Sequence, residues 1–147
     1  MRQIVFAILA MMAPGLSAQA KPQSLDPGTA VYELRIYYPN PGKAVDLNTR
    51  FREHTLKLFE KHGMRNVAYW NELATPDAPE GRLIYVLAYP SRAARDEDWK
   101  SFGVDPAWRA VVSASEANGK LVAKVDSIFM AMADYSPLTK LPNASRR

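Results

Sequence analysis

Apolar and polar residues alternate in four short segments of the chain, which is the pattern of half-buried strands. The segments read VYELRIYY at residues 31–38, MRNVAYWNE at 64–72, RLIYVLAY at 82–89 and VDSIFMAMADY at 125–135. The third is nearly apolar throughout, so it is expected at the centre of a sheet. The fourth contains Met and Ala residues, which favour helix as readily as strand.

Between these segments the periodicity changes to that of helices. A helix is predicted from about Lys43 to His62, ended by Gly63. Ser91 is placed to cap a second helix, and Asp105 followed by proline is placed to cap a third. The order is β-α-β-β-α-(α)-β in one domain. It predicts an α+β, ferredoxin-like split βαβ fold, with an antiparallel sheet and helices on one face.

The sheet face away from the helices, called the open face below, poses a problem of burial. On the first strand we expect Leu34 and Ile36 to face the helices, which leaves Glu33, Arg35 and Tyr37 on the open face. The third strand is apolar on both sides, so its open side is too apolar to be left in water. We therefore expect a homodimer in which a second copy covers the open face.

The start of the chain has the pattern of an export signal. A short basic segment precedes an apolar run from Ile4 to Met12, and Ala18-Gln19-Ala20 forms a small-x-small cleavage pattern. The run is too short to span a bilayer, which takes roughly 20 apolar residues. We expect cleavage after Ala20 and a periplasmic or secreted protein without a membrane span in the mature chain.

Composition narrows the possibilities further. The chain of 147 residues carries a net charge of +4 and no cysteine, so disulfides and thiol chemistry are excluded. Its basic residues are scattered among acidic ones, which argues against binding of nucleic acid. We divide the chain into a signal peptide (1–20), a flexible lead (21–30), one domain (31–138) and a basic disordered tail (139–147).

Several segments together resemble the NIPSNAP family over roughly residues 31–138. They are YELRIYYPNPGK at 32–43, FREHTLKLFEKHGM at 51–64, the pair Trp99 and Trp108, and DYSPL at 134–138. The resemblance implies a dimeric α+β barrel, in which two ferredoxin-like subunits join their sheets around a shared cavity. The wider group includes cofactor-free monooxygenases and haem-binding proteins. It implies no assigned reaction and no cofactor for this chain.

Motifs of common catalytic sites are absent from the sequence. The two histidines, His54 and His62, are eight residues apart, which does not fit a zinc helix, and no metal site is expected. No nucleophile elbow and no phosphate-binding glycine loop occurs.

The remaining candidates are polar and aromatic residues that the fold would gather. Arg35 could grip a carboxylate with two N–H groups, and Glu33 could pair with it as a cross-strand ion pair or act in catalysis. Tyr37, Tyr69 and Trp70 could line an amphipathic pocket, although Tyr69 and Trp70 face opposite sides.

His54 is unusual because it falls within the apolar stripe of the first helix. It could act as a general base, since an imidazole titrates near neutral pH. It could also be a neutral, hydrogen-bonded core residue, which is the commoner role and the one we expect. The sequence favours an exported homodimer that binds a small amphipathic molecule. The alternative is a cofactor-independent oxygenase- or isomerase-like enzyme that uses His54 or Glu33.

Overall fold

The computed structural model describes residues 25–140, so the predicted signal peptide and most of the predicted tail lie outside the described residues. Four strands and four helices follow the predicted order. They are β1 (Val31–Pro39), α1 (Ala44–Arg50), α2 (Leu56–Lys61), β2 (Arg65–Asn71), β3 (Leu83–Tyr89), α3 (Arg92–Val104), α4 (Pro106–Ser115) and β4 (Val122–Ala131). A π turn (Phe51–Thr55) joins α1 to α2, and a short 3-10 helix (Pro137–Lys140) follows β4.

The strands form one antiparallel sheet in the order β2-β3-β1-β4. The central strands are β1 and β3, and β2 and β4 form the edges. This is the ferredoxin-like α+β arrangement that the sequence predicts, with the helices packed on one face. None of the helices within residues 25–140 is long and apolar enough to cross a membrane.

The predicted ends of the last strand are wrong. Its bounds were expected at 125–135, whereas β4 runs from Val122 to Ala131. β4 pairs along its whole length with β1, from Pro39 opposite Val122 to Val31 opposite Ala131. Because β1 begins at Val31, no backbone partner is available for residues beyond Ala131. The ends are thus set by register, which the apolar pattern of β4 alone does not contain.

The predicted assignment of faces on β1 is also wrong. Glu33 is fully buried on the helix side, where its strand partner Leu87 is fully buried too. Tyr37 contacts Phe51 of the π turn, with ring centroids 5.7 Å apart. Leu34 and Ile36 therefore face away from the helices. Charged residues can occupy the helix side because they are paired there, which offsets the cost of removing them from water.

The core lies between the helices and the helix side of β3. It consists mainly of aromatic and aliphatic side chains from the first helical segment, from β3 and from α3: Leu47, Phe51, Phe59, Met64, Leu83, Tyr85, Leu87, Tyr89, Phe102 and Leu121. Ser91 caps α3 by accepting a hydrogen bond from the Ala94 amide at 3.1 Å, as its position in the sequence predicts. The buried tyrosines carry their hydroxyl groups into this core, and these need polar partners.

The open face is mainly apolar. One row joins Ala68, Val86, Leu34 and Ile128 across all four strands, and the next joins Trp70, Ile84 and Ile36 and ends at Asp126 on β4. Trp70 is 52% exposed and Ile128 is 51% exposed, both on edge strands, whereas Val86 on the central strand β3 is buried. The expectation of an apolar open face therefore agrees with the structure, although different residues of β1 supply it and the large exposed side chains lie on the edge strands.

Candidate functional site

A buried ionic cluster on the helix side of the sheet is centred on Glu33. Its Oε1 accepts hydrogen bonds from Arg35 Nη1 at 2.7 Å, Arg95 Nη2 at 2.7 Å and Ser127 Oγ at 2.6 Å. Its Oε2 accepts from Arg95 Nε at 2.9 Å, Tyr89 Oη at 3.2 Å and Trp99 Nε1 at 3.3 Å. Burial raises the pKa of Glu33, but the bonds from Arg95, Ser127 and Arg35 outweigh it and lower the pKa to about 2. Glu33 therefore stays ionised.

Arg35 joins this carboxylate to two phenols. Its Nε donates to Tyr85 Oη at 3.0 Å, and its Nη2 donates to Tyr37 Oη at 3.4 Å. Its guanidinium carbon lies 4.3 Å from the centre of the Trp99 ring. Burial lowers the pKa of Arg35, but Tyr85, Tyr37 and Glu33 together raise it above its usual value, so the residue stays charged.

The phenols of the cluster are neutral hydrogen-bonding groups. Tyr85 is fully buried, and burial is the largest cause that raises its pKa. Burial likewise raises the pKa of Tyr89 and of Tyr69. Trp99 Nε1 donates to Tyr89 Oη at 2.8 Å. Tyr85 and Tyr89 are fully buried, so they hold Arg35 and Glu33 in place by hydrogen bonds without contributing charge.

The fold explains how distant residues meet at Glu33. Alternation along β1 places Glu33, Arg35 and Tyr37 on one face, and the register of β4 sets Ser127 opposite Arg35. Arg95 and Trp99 are four residues apart on α3, so they point to the same side of the helix. Sequence reasoning missed Arg95, Ser127, Tyr85 and Tyr89. The four-residue spacing is the available signal for Arg95, because it places this residue beside Trp99 on one side of α3.

The cluster meets the surface along β4. Three residues of this strand share the helix side with Glu33 and Arg35, yet all three are exposed; we call them the β4 shelf: Val125, Ser127 and Phe129. Arg92 lies over the Phe129 ring, with its guanidinium carbon 3.3 Å from the ring centre. The β4 shelf therefore gives solvent access next to the buried arginine and carboxylate groups.

The structure separates the two predicted aromatic residues of β2. Tyr69 lies on the helix side, stacks on Tyr85 at 5.3 Å between ring centres, and donates its hydroxyl hydrogen to Asn66 Oδ1. Trp70 lies on the open face. Tyr69 thus belongs with Tyr37, since both rings contact Tyr85, whereas Trp70 is on the other side of the sheet.

His54 does not lie in the core. Its side chain is 50% exposed, and its Nε2 is 3.8 Å from Glu53. The helical wheel misplaced it because residues 51–55 form a π turn, which takes more residues per turn than an α-helix. The expectation that His54 is a satisfied core residue is therefore wrong.

The second histidine belongs to a joint between three helices. His62 Nε2 is 2.6 Å from Asp105 Oδ2, its Nδ1 is 2.8 Å from Ser101 Oγ, and Lys61 Nζ is 2.7 Å from the same Asp105 oxygen. Bonds from Lys61 and His62 and from the Ala107 amide hold the pKa of Asp105 below its usual range. Asp105 also caps α4, so this cluster ties the end of α2 to α3 and α4.

Metal binding has no support within residues 25–140, where no three His, Asp or Glu side chains are placed to share an ion. The Glu33 cluster itself offers hydrogen-bonding groups, a buried cation and aromatic rings.

Comparisons with known proteins point to one family. The NIPSNAP family model matches residues 32–137. A NIPSNAP domain protein from Burkholderia xenovorans is 18% identical, with 73% of this chain and 98% of that chain covered and a TM-score of 0.60. A NIPSNAP family protein from Agrobacterium tumefaciens str. C58 is 22% identical, with 74% and 98% covered and a TM-score of 0.61.

A further similar structure, from the same Agrobacterium strain, is described as a NIPSNAP family protein with unknown function. It is 20% identical, with 76% of this chain and 95% of that chain covered and a TM-score of 0.62. No curated protein matches the chain. At these identities the solved structures establish the fold, and a reaction has to be argued from the site.

Proposed function

The chain belongs to the NIPSNAP family, and we propose that it is an exported homodimer that binds a small amphipathic molecule between its sheet and its helices. The β4 shelf is the observation that carries this proposal. Val125 and Phe129 are 40% and 38% exposed although they lie on the side of the sheet that the helices cover elsewhere. An apolar strip beside fixed polar groups is the usual composition of a small-molecule site.

The residues next to the β4 shelf suit a ligand with both polar and apolar parts. Arg35, Tyr37 and Ser127 place N–H and O–H groups at one end, while Val125 and Phe129 expose apolar surface on β4. Tyr69 supports the Tyr85 ring from behind. The polar groups are held by the Glu33 cluster, so a ligand would meet a preorganised surface and lose less entropy on binding.

Homodimer formation through the open face is the second part of the proposal. Trp70, Ile128 and Met130 are 52%, 51% and 36% exposed there, and the row that ends at Ile128 is apolar over all four strands. Large exposed apolar side chains gathered on one face commonly mark an interaction surface. A second copy offers the same apolar surface, and a two-fold axis would bring the two open faces together.

Export is proposed from the sequence alone. The apolar run from Ile4 to Met12 and the Ala18-Gln19-Ala20 pattern support it. The mass of the intact protein recovered from the periplasm tests this: we expect a chain that begins at Lys21, and a chain that retains the first twenty residues would contradict export with cleavage.

The enzyme alternative is not favoured by the geometry. Glu33 is ionised and its two oxygens accept from every side, so it has no free position from which to exchange a proton with a substrate. His54 is half exposed, with Glu53 as its ionic neighbour, and does not belong to the Glu33 cluster. We therefore propose binding, and we propose no reaction.

A neutral fluorescent probe can test the binding site directly. Phenylnaphthylamine, which fluoresces in apolar sites, should bind the wild-type protein. A Val125→Trp substitution should weaken its binding about tenfold, because the indole would fill the β4 shelf without contacting Glu33. Val45→Trp is the matched control, since Val45 lies on α1 and is 77% exposed. Equal binding by the wild type and Val125→Trp would contradict the site.

A search for the natural ligand should accompany the probe. Mass spectrometry of small molecules retained by protein purified from the periplasm should find an amphipathic compound, with a reduced amount in Val125→Trp. Retention of the compound in equal amounts by both proteins would place its site elsewhere.

A further inference from the structure

Arg50 is a second buried arginine on the helix side, outside the Glu33 cluster. It is the last residue of α1 and its side chain is 5% exposed. Its Nη1 donates to Glu116 Oε1 at 2.9 Å, and the Ser115 Oγ lies 3.4 Å from the same atom. Both acceptors thus use one nitrogen of the guanidinium, and they reach it from the end of α4.

In the described part of the chain, the Nε of Arg50 takes no part in these hydrogen bonds. It is buried, and among residues 25–140 it has no hydrogen-bond acceptor. Such unpaired buried N–H groups are rare in folded proteins because they lose their bonds to water without replacement. A guanidinium commonly holds an acid through two parallel N–H bonds, and Glu116 engages only Nη1. A further acceptor is therefore missing at Arg50.

The surface beside Arg50 is aromatic and incompletely covered. The guanidinium carbon lies 5.3 Å from the centre of the Trp108 ring, which is 4.5 Å from the Phe102 ring. α4 has no fully buried residue, and Trp108, Val111 and Val112 on its inner side are only half-buried. An amphipathic helix normally buries this stripe. The Arg50 guanidinium, which lacks one acceptor among the described residues, lies beside the half-buried apolar stripe of α4. This arrangement suits one ligand with an acidic end and an apolar body.

Arg50 is joined along the chain to an aromatic residue that contacts the proposed site. The next residue, Phe51, contacts Tyr37, and Tyr37 accepts a hydrogen bond from Arg35. Each of the three nitrogens of the Arg35 guanidinium already donates to an acceptor within the cluster, whereas the Nε of Arg50 does not donate to any residue within 25–140. We propose that the ligand is an organic acid with an aromatic or aliphatic body, and that Arg50, not Arg35, binds its anionic group. This inference rests on the proposed function, because it names the ligand class of the same helix-side site.

Two probes with the same ring system but different charge test this inference. Anilinonaphthalene sulfonate is anionic, whereas phenylnaphthylamine is neutral. Arg50→Lys keeps the charge but removes the fork of N–H groups, so it should weaken binding of the anionic probe about tenfold and leave the neutral probe within about twofold. Arg52→Lys is the matched control on an exposed residue two positions away, and it should change neither affinity.

Glu116→Gln gives a result of the opposite sign. It removes the negative charge that competes for Arg50, so it should tighten binding of the anionic probe several-fold without affecting the neutral one. If a variant lost its structure in general, its affinities for the two probes would change in the same direction. This holds for Arg50→Lys and for Glu116→Gln alike. Should Arg50→Lys fail to fold, Glu116→Gln decides, and unchanged affinity for the anionic probe would then overturn the inference.

The outcomes separate this inference from the proposal on which it rests. If the wild-type protein binds neither probe, the proposed function fails and the ligand class fails with it. If it binds the neutral probe, and the affinity for the anionic probe is the same in the wild type and Arg50→Lys, binding stands and only the role of Arg50 is overturned.

Discussion

At the scale of single residues, Glu33 organises the helix side of the sheet. It is fully buried, and two arginines, a serine, a tyrosine and a tryptophan donate to it. A buried carboxylate is tolerated only while its donors are present. If the carboxylate or the arginines were removed, the remaining group would be an uncompensated buried charge. Its role is therefore to hold Arg35, Arg95 and Trp99 in place.

Glu33→Gln should destabilise the fold strongly. The substitution removes the negative charge between Arg35 and Arg95, and breaking a buried ion pair in this way costs roughly 3–5 kcal/mol. Urea unfolding should show this loss in the free energy of unfolding. Asp46→Asn is the control, because the Lys43–Asp46 pair is 3.6 Å apart and solvent-exposed at Asp46; it should change stability by less than about 1 kcal/mol. A loss of similar size in both variants would contradict the role of Glu33.

The same carboxylate predicts a pH dependence. The pKa of Glu33 is lowered from 4.5 to about 2 in the folded protein. Its contribution to stability is therefore fully present above about pH 4.5 and is lost as the pH falls through about pH 2. Unfolding measured at decreasing pH should show a steeper loss for the wild type than for Glu33→Gln over this range. Parallel curves would contradict the lowered pKa.

The residues of β1 show how far the sequence allows the site to be predicted. Alternation correctly predicts that Glu33, Arg35 and Tyr37 share one face. It does not tell which face meets the helices, because that depends on partners that lie 62 and 94 residues further along the chain, Arg95 and Ser127. A glutamate on a strand is normally expected to face solvent, whereas these long-range hydrogen bonds allow Glu33 to be buried.

At the scale of elements, the helix between Ala44 and Lys61 shows the limit of a regular helical wheel. Leu47 and Phe51 are buried, as the apolar stripe of this helix predicts. The wheel fails at His54, because this residue lies within the π turn, which takes more residues per turn than an α-helix. The predicted order of strands and helices is confirmed, since it depends on caps, glycines and alternation that are local in the chain. Strand ends at β4 could not be predicted, since they depend on pairing with β1.

The end of α2 gives a prediction at this scale. Gly63 has a φ of 87°, and a Cβ atom there would lie 2.9 Å from Asp98 Oδ1. Gly42 has a φ of 73° with open space around it. Alanine at either position carries the cost of a left-handed conformation, about 1–2 kcal/mol. Gly63→Ala should lose more stability than Gly42→Ala in urea unfolding, since only Gly63 is packed against α3. Equal losses would show that Asp98 moves aside without cost.

At the scale of the whole molecule, the main feature is the apolar open face. Among residues 25–140, its large exposed side chains lie on the edge strands, Trp70 on β2 and Ile128 and Met130 on β4. The sequence correctly predicts that both sides of β3 are apolar. It does not tell whether the side with Tyr85 and Leu87 or the side with Ile84 and Val86 faces the helices. The structure assigns Ile84 and Val86 to the open face and buries Tyr85 and Leu87 under the helices.

Ile128→Asp should convert the proposed homodimer into monomers. The carboxylate would lie at the β4 end of the apolar row, between two copies, and would lose its hydration on association. Light scattering after size exclusion should show half the wild-type mass. Val45→Asp, a change of similar polarity at an exposed position on α1, should leave the mass unchanged. A wild type that is monomeric at high concentration would contradict the dimer.

The long separations within the Glu33 cluster also govern the order in which the chain can assemble. Glu33 precedes Arg95 by 62 positions and Ser127 by 94. A nascent chain that has exposed only its first half at the ribosome contains this acid without most of its donors, and it cannot bury it. The complete set of donors therefore exists only after β4, the last strand, has been synthesised.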